Sequence, residues 1–398
     1  DTLLRLVPLI VSFSPEAWKI ITDVEILKKA GDYRVAKMRL IQLMAPDFQI
    51  NNKMIGRRIL AHAEQVGEVS DDQHGSRKNH KAINTCLNKK LLCDVLRQKR
   101  RAGAVGMNDA SGCYDRISHA IAILTLMSFG VPQMICRVLF QTLQEAMHHI
   151  KTGFGRSEAV YGNELIPISG IGQGNGLGPT LWALISTKLL RMMEKAGHGV
   201  HLLTSISLTA LAMVGFAFVD DTDLFLAGKT AAATGEDMVD EFQEALDRWS
   251  GGLIATGGAL SPIKSFCYLI DFVWTGDGWE YRSVADLPGE FTLMDKDGNR
   301  DPLRRHEVHY AEKTLGVCIS MDGNEDAEMT RLKEHSKLFA DQIRTAKCSK
   351  NAALYTYNAS FMKTMEYAMP VTQFSEVEWN KIVAPALEPS LQKAGNGS

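Results

Sequence analysis

Hydrophobic and polar positions divide this 398-residue chain into short units, and the sharpest is residues 215–226. Gly215-Phe216-Ala217-Phe218-Val219 is apolar, Asp220-Asp221-Thr222-Asp223 is polar, and Leu224-Phe225-Leu226 is apolar again. Short runs rich in Phe, Val and Leu predict two strands. The acids then lie at the tip of a hairpin. Adjacent carboxylates repel each other, so the tip is either a solvated turn, where Asp is common, or a place that holds a cation.

The same patterning predicts the other elements. Ser14-Pro15-Glu16 carries an N-cap followed by Pro at a first helical position, so a helix is expected to start there. Residues 24–27 and 37–43 predict strands around a basic turn with Lys28, Lys29 and Arg34. Those bases suit a triphosphate, or they blunt an edge strand. A helix is expected over 52–65, and a turn at 69–77 leads into a basic helix ending near Lys99. A strand over 104–109 ends on Asp109, followed by a tight turn at 110–117 and helices over 119–128 and 132–147. Glycines alternate through Gly170-Ile171-Gly172-Gln173-Gly174-Asn175-Gly176 before Pro179 opens another helix. Such bare backbone admits a base pair or phosphate, or is a plain loop. An acidic helix over 236–249, a strand over 266–269, hairpins at Gly276-Asp277-Gly278 and Asp297-Gly298-Asn299 and a strand over 314–319 follow. Helices are expected from Asn324, over 351–369 up to Pro370, and from Ser375, where Glu378 closes a capping box.

Composition changes this picture in three places. The hydrophobic content of 45% is that of a globular protein, and a net charge of -2 does not suggest nucleic acid. The distribution does: residues 73–104 hold nine bases (Arg77, Lys78, Lys81, Lys89, Lys90, Arg97, Lys99, Arg100, Arg101) against one acid, Asp94. That run is a solvated helix face or a phosphate-binding surface. Seven scattered Cys without CxxC spacing favour a reducing compartment, so an intracellular chain of nucleus or cytoplasm is expected, not a secreted one. The apolar stretch over 208–219 is too short to span a bilayer, and no membrane partner is expected. The glycines fit neither GxGxxG nor the Walker P-loop. Asp295-Lys296-Asp297 is not an EF-hand, because Arg300 and His306 replace its Gly and closing Glu.

Taken in order, the basic hairpin, the strand ending on Asp109 with Tyr114-Asp115, the Gln173-Gly174 loop with Pro179, Phe218-Val219-Asp220-Asp221, Lys264 and Leu315-Gly316 form a series that resembles the reverse transcriptases. It looks most like the non-LTR retrotransposon and group II intron branch. There, Asp-x-x-x-x-Phe/Tyr-Asp is followed by Gln-Gly-x-x-x-Ser-Pro, an aromatic-x-Asp-Asp hairpin, a Lys-bearing turn and a Leu-Gly strand. The resemblance covers roughly residues 20–350. Gly178 stands where that family usually has Ser, Val219 where Ala or Met is common, and Phe218 where Tyr is common. The stretch between Gln173 and Asp220 is long, with extra apolar residues over 201–211.

The resemblance implies an α+β right-hand polymerase with an antiparallel palm sheet backed by helices. Fingers would lie mostly in 1–104, the palm in 105–320 with a fingers insertion near 130–165, and a helical thumb, cut short by the chain's end, in 321–398. It implies template-directed DNA synthesis from dNTPs on an RNA or DNA template with a DNA primer. Asp109, Asp220 and Asp221 would be catalytic and hold two Mg²⁺, with Mn²⁺ as substitute. Lys28, Lys29, Arg39, Tyr114, Gln173, Gly174 and Lys264 would bind the nucleotide, Tyr114 by crowding a 2′-OH. Gln73, Arg77, Leu315 and Gly316 would contact template and primer. Further domains of a larger polyprotein are compatible with this reading. Two rivals share the fold: a non-catalytic nucleic-acid-binding remnant, and an RNA-templated RNA polymerase, which would more often carry a small residue at position 114.

Overall fold

The structure, a computed structural model, describes residues 14–395 apart from 29, 36–37, 163–167, 204–206 and 208. Its centre is a six-stranded sheet in the order Phe291–Met294, Arg300–His306, Phe266–Ile270, Gly103–Asp109, Asp221–Ala227 and Gly215–Phe218. All neighbours run antiparallel except Phe266–Ile270 with Arg300–His306. Alternation along the central strands makes both faces apolar. Ala104, Leu224 and Leu226 turn to one face and pack with Leu181, Leu184, Phe242, Leu246 and Trp249 from helices Gly178–Lys195 and Asp237–Ala255. Val105, Met107, Phe225 and Tyr268 turn to the other and meet Cys86, Cys93 and Leu96 of helix Ala82–Lys99.

A second sheet pairs Met38–Leu43, Ile20–Leu27, Met147–Thr152 and Gly155–Arg156 in that order. The C-terminal helices Asp326–Thr345 and Glu376–Ala394 enclose a separate core with Leu332, Phe339, Phe361, Ile382 and Ala386. The capping box at Ser375 is present with both its bonds. Among the described residues, no helix is long and apolar enough to cross a membrane.

Four expectations need correction. Ser14-Pro15 opens only one 3-10 turn, Glu16–Lys19, because the chain passes at once into the strand from Ile20; the Ser14 hydroxyl meets Thr142 instead of capping. The helix expected from residue 52 begins at Pro46, a first-turn proline without a side-chain cap. The helix expected over 132–147 ends at Gln144, and Met147 starts a strand beside Ile20–Leu27. The strand expected over 314–319 is a hairpin, Glu312–Thr314 with Val317–Ile319. Leu315 (φ 46°) and Gly316 (φ 96°) form its turn, both in the left-handed region that tight two-residue hairpin turns require.

Candidate active site

The acidic hairpin is held from three sides. Phe218 pairs with Asp221, leaving Val219 and Asp220 as the turn. Val219 has φ 61°, a conformation costly for a β-branched residue and one that persists only where surroundings over-determine it. The surroundings do so here. The buried Trp182 indole N–H donates to the Val219 carbonyl. Residues 72–75 add an edge to Gly215–Phe218: Ala217 N–H donates to the Asp72 carbonyl at 2.8 Å, and His74 N–H to the Ala217 carbonyl at 2.8 Å. A Cβ on Gly75 would lie 2.2 Å from the Val219 nitrogen, so only glycine lets this segment lie against the turn.

Strand register brings the distant acids together. Asp109, last residue of its strand, is the direct cross-strand partner of Asp221, and Asp220 is next to it in the turn. Directly opposite residues in such a ladder have Cβ atoms about 4.5–5.5 Å apart. The Asp109 carboxylate accepts from Lys264 Nζ at 3.0 Å, and its backbone is fixed by Ser265 Oγ and by the Ser261 N–H. Asp109, Asp221, Asp223, Lys264, Lys313 and Leu315 line one cleft of about 160 Å³. Loss of water around Asp221, reinforced by Asp220, Asp223 and Asp109, pushes its carboxyl up to about 6. Asp220 is raised as well, by desolvation first and by Asp109 in addition. Among the described residues no three His, Cys, Asp or Glu side chains form a ready ligand shell; Asp109 faces Lys264 instead. The donor set nevertheless fits a hard divalent cation: the donors are carboxylate oxygens, and the raised acids are short of positive charge.

The nucleotide-side candidates gather around the glycine loop. The Tyr114 carbonyl accepts from Ile171 N–H at 2.9 Å, and the half-buried Tyr114 ring borders Gly178. A Cβ at Gly178 would make only ordinary contacts with Ile171 and Tyr114, so packing does not explain why Ser is absent. Gln173 donates to Asp115 Oδ2 at 3.1 Å, and its carbonyl accepts from Gln42 N–H at 2.7 Å. Desolvation raises Asp115, while Gln173 and the charge of Lys28 oppose that. Arg39, exposed on the neighbouring strand, exerts its charge on Asp220. Gly174 has φ 119°, and a Cβ there would lie 2.5 Å from the Gln42 carbonyl. The bare backbone expected to admit a base pair thus lies, at this glycine, against the chain's own strand. Lys29 falls outside the described residues.

The template-side candidates separate. Leu315 reaches the cleft, and its carbonyl accepts from the Tyr367 hydroxyl at 2.6 Å; Gly316 turns beside that ring. Gln73 is wholly buried: it donates to Ser186 at 2.7 Å and accepts from Gly75 N–H. Arg77 bonds Glu64 and the carbonyls of Ser70 and Gln73. Both belong to the scaffold behind the hairpin. The basic run divides likewise. Lys89 and Lys90 are buried and paired with Asp223 and Glu325, whereas Lys78 and Lys81 are exposed. Neither a solvated face nor a phosphate surface describes the whole run. Trp182, Gly75 and the Lys89–Asp223 pair were not foreseen. The signal for Lys89 was its spacing among Cys86, Cys93 and Leu96, the core stripe of its helix.

A sequence profile described as reverse transcriptase (RNA-dependent DNA polymerase) matches residues 26–264, more than half of the chain. The chain belongs to the reverse transcriptase family. Its α+β architecture is a right-hand polymerase fold, and the chemistry of its family is template-directed nucleotide polymerisation. No curated protein matches. Solved structures similar to this reverse transcriptase domain include an apo telomerase from Candida Tropicalis, at 12% identity and TM-score 0.46, covering 96% of this chain and 63% of that one. Another is a telomerase from Candida albicans in complex with a TWJ fragment of telomeric RNA, at 10% identity and TM-score 0.43, covering 98% and 62%. The domain thus spans less than two thirds of the length of these structures.

Proposed function

We propose that this domain synthesises DNA on an RNA template, extending a DNA primer with dNTPs, as the polymerase of a retroelement of the non-LTR or group II intron type. The observation that carries this reading is the register pairing of Asp109 with Asp221 beside Asp220, in a cleft that also contains Lys264. Asp109, Asp220 and Asp221 would hold Mg²⁺, which when bound supplies charge stabilisation to the nucleophile and the leaving pyrophosphate. Lys264, 68% exposed at the cleft rim, is free to move from Asp109 to a polyphosphate. Tyr114, half-buried beside the glycine loop, would limit room at the sugar 2′ position, which favours DNA over RNA synthesis. Arg39 and Lys28, on the two sides of the first hairpin, would meet the triphosphate. In this reading residues 1–104 form most of the fingers, 105–320 the palm with an insertion near 130–165, and 321–398 the thumb.

The test is primer extension on poly(rA)/oligo(dT) with dTTP and Mg²⁺, comparing the chain with Asp220→Asn. Extension by the wild type and a loss of about 10³-fold or more in the variant is expected. No extension by either, with salt-dependent duplex binding retained, would instead identify a non-catalytic nucleic-acid-binding remnant.

A further inference from the structure

The same strand that carries Asp221 carries another acid two residues on. Asp223 and Asp221 point to one face, about 7 Å apart along the strand. Their cross-strand partners are Met107 and Asp109. One side chain joins the rear pair: Lys89 Nζ lies 3.0 Å from Asp223 Oδ2 and 2.9 Å from Met107 Sδ. Lys89 is 1% exposed and Asp223 7%, yet Asp223 still lines the cleft shared by Asp109, Asp221 and Lys264. An ammonium buried to this degree requires a partner, and Asp223 is its only ion pair among the described residues.

We propose that Lys89 is a positioning residue for the cation site, acting through Asp223. It neutralises the rear carboxylate and keeps it on the sheet. The negative charge available to a divalent cation is thereby confined to the outer end of the cleft, at Asp109 and Asp221. Without Lys89, three carboxylates on one face would draw a cation inward, away from the turn that carries Asp220. With Lys89 but without Asp223, a bare ammonium would sit one same-face step behind Asp221 and repel the cation. The inference rests on the proposed function but concerns residues which that reading leaves without a role.

The two single neutralisations therefore act in opposite directions, whereas a merely structural ion pair would weaken the site from either side. The experiment is Mn²⁺ binding to the full chain, followed by electron paramagnetic resonance of the free ion. The variants are Asp223→Asn, Lys89→Met, and both together, with Asp109→Asn marking the site. Asp223→Asn is expected to weaken Mn²⁺ binding by about tenfold, the size of a unit charge roughly 7 Å from a divalent ion in a water-like medium. Lys89→Met is expected to tighten it, and the double variant to return to near the wild-type value. If Lys89→Met does not fold, Asp223→Asn against the double variant decides, the double binding tighter. Weaker binding in both single variants, no change in Asp223→Asn, or a double variant no tighter than Asp223→Asn overturns the inference while the proposed function stands. A wild type whose Mn²⁺ binding is absent, or unaffected by Asp109→Asn, overturns the proposed function and this inference with it.

Discussion

The acidic hairpin and the basic helix Ala82–Lys99 treat charge in opposite ways. At the hairpin, Asp220 and Asp221 stand at the turn without a hydrogen-bonded cation among the described residues, and both carboxyls are raised. Lys264, the one ammonium hydrogen-bonded there among the described residues, meets Asp109. In the helix, the innermost bases, Lys89 and Lys90, are buried and engaged, Lys89 with Asp223 and Lys90 with Glu325 and the Val371 carbonyl, while the half-buried Arg97 bonds Asp94 and the Asp322 carbonyl. The first region holds unsatisfied negative charge in a preformed place, as a cation-binding site must. The second uses charge to fasten layers, tying the central sheet to the start of the C-terminal helices. Charge density in a sequence therefore does not identify a binding surface; what matters is whether the fold supplies partners.

This contrast can be broken by substitution. The largest effect on stability is expected at Lys90. Lys90→Met leaves the Val371 carbonyl without the ammonium and the Glu325 carboxylate with only the Gln373 N–H as donor, and a cost of about 3 kcal/mol is expected. Thermal denaturation would read it, and an unchanged midpoint would mean that the helix does not fasten the C-terminal helices. A much smaller effect is expected from Lys78→Ala with Lys81→Ala, two exposed members of the same run. Stability should change by less than about 0.5 kcal/mol. Their contribution to template binding is read from the salt dependence of affinity, whose slope falls by about one for each phosphate that the protein no longer neutralises. An unchanged slope would leave Lys78 and Lys81 without a nucleic-acid role.

The division explains what the sequence made legible. The two apolar runs around Asp220-Asp221 could form only a hairpin of that kind, and the strand ending on Asp109 was readable from its apolar residues. The pairing of Asp109 with Asp221, more than a hundred residues apart, depended on which strands become neighbours, and no local pattern carries that. The hairpin at Leu315-Gly316 was missed because Leu is an unusual residue in the left-handed conformation. Gln73 and Arg77 were expected from the resemblance to contact the template, and sequence alone gives no sign that residues 72–75 add an edge to the sheet. Lys89 was placed with the surface charge because its partner, Asp223, lies 134 residues away.

The hairpin keeps uncompensated negative charge at a cost to folding. For Asp221 the sign is explicit. Its folded carboxyl, at about 6, lies above the ordinary value of 3.8. The fold therefore disfavours the charged form, and the penalty is full above pH 6 and absent below about 4. The most direct measurement is the melting temperature of Asp221→Asn against wild type across this range. A more stable variant is expected at pH 7.5, by on the order of 1 kcal/mol once solvent screening is allowed for, with the gain fading as pH falls from 6 to 4. A variant less stable than wild type at pH 7.5 would contradict it, because the hairpin acids would then be structural groups like those of the basic helix.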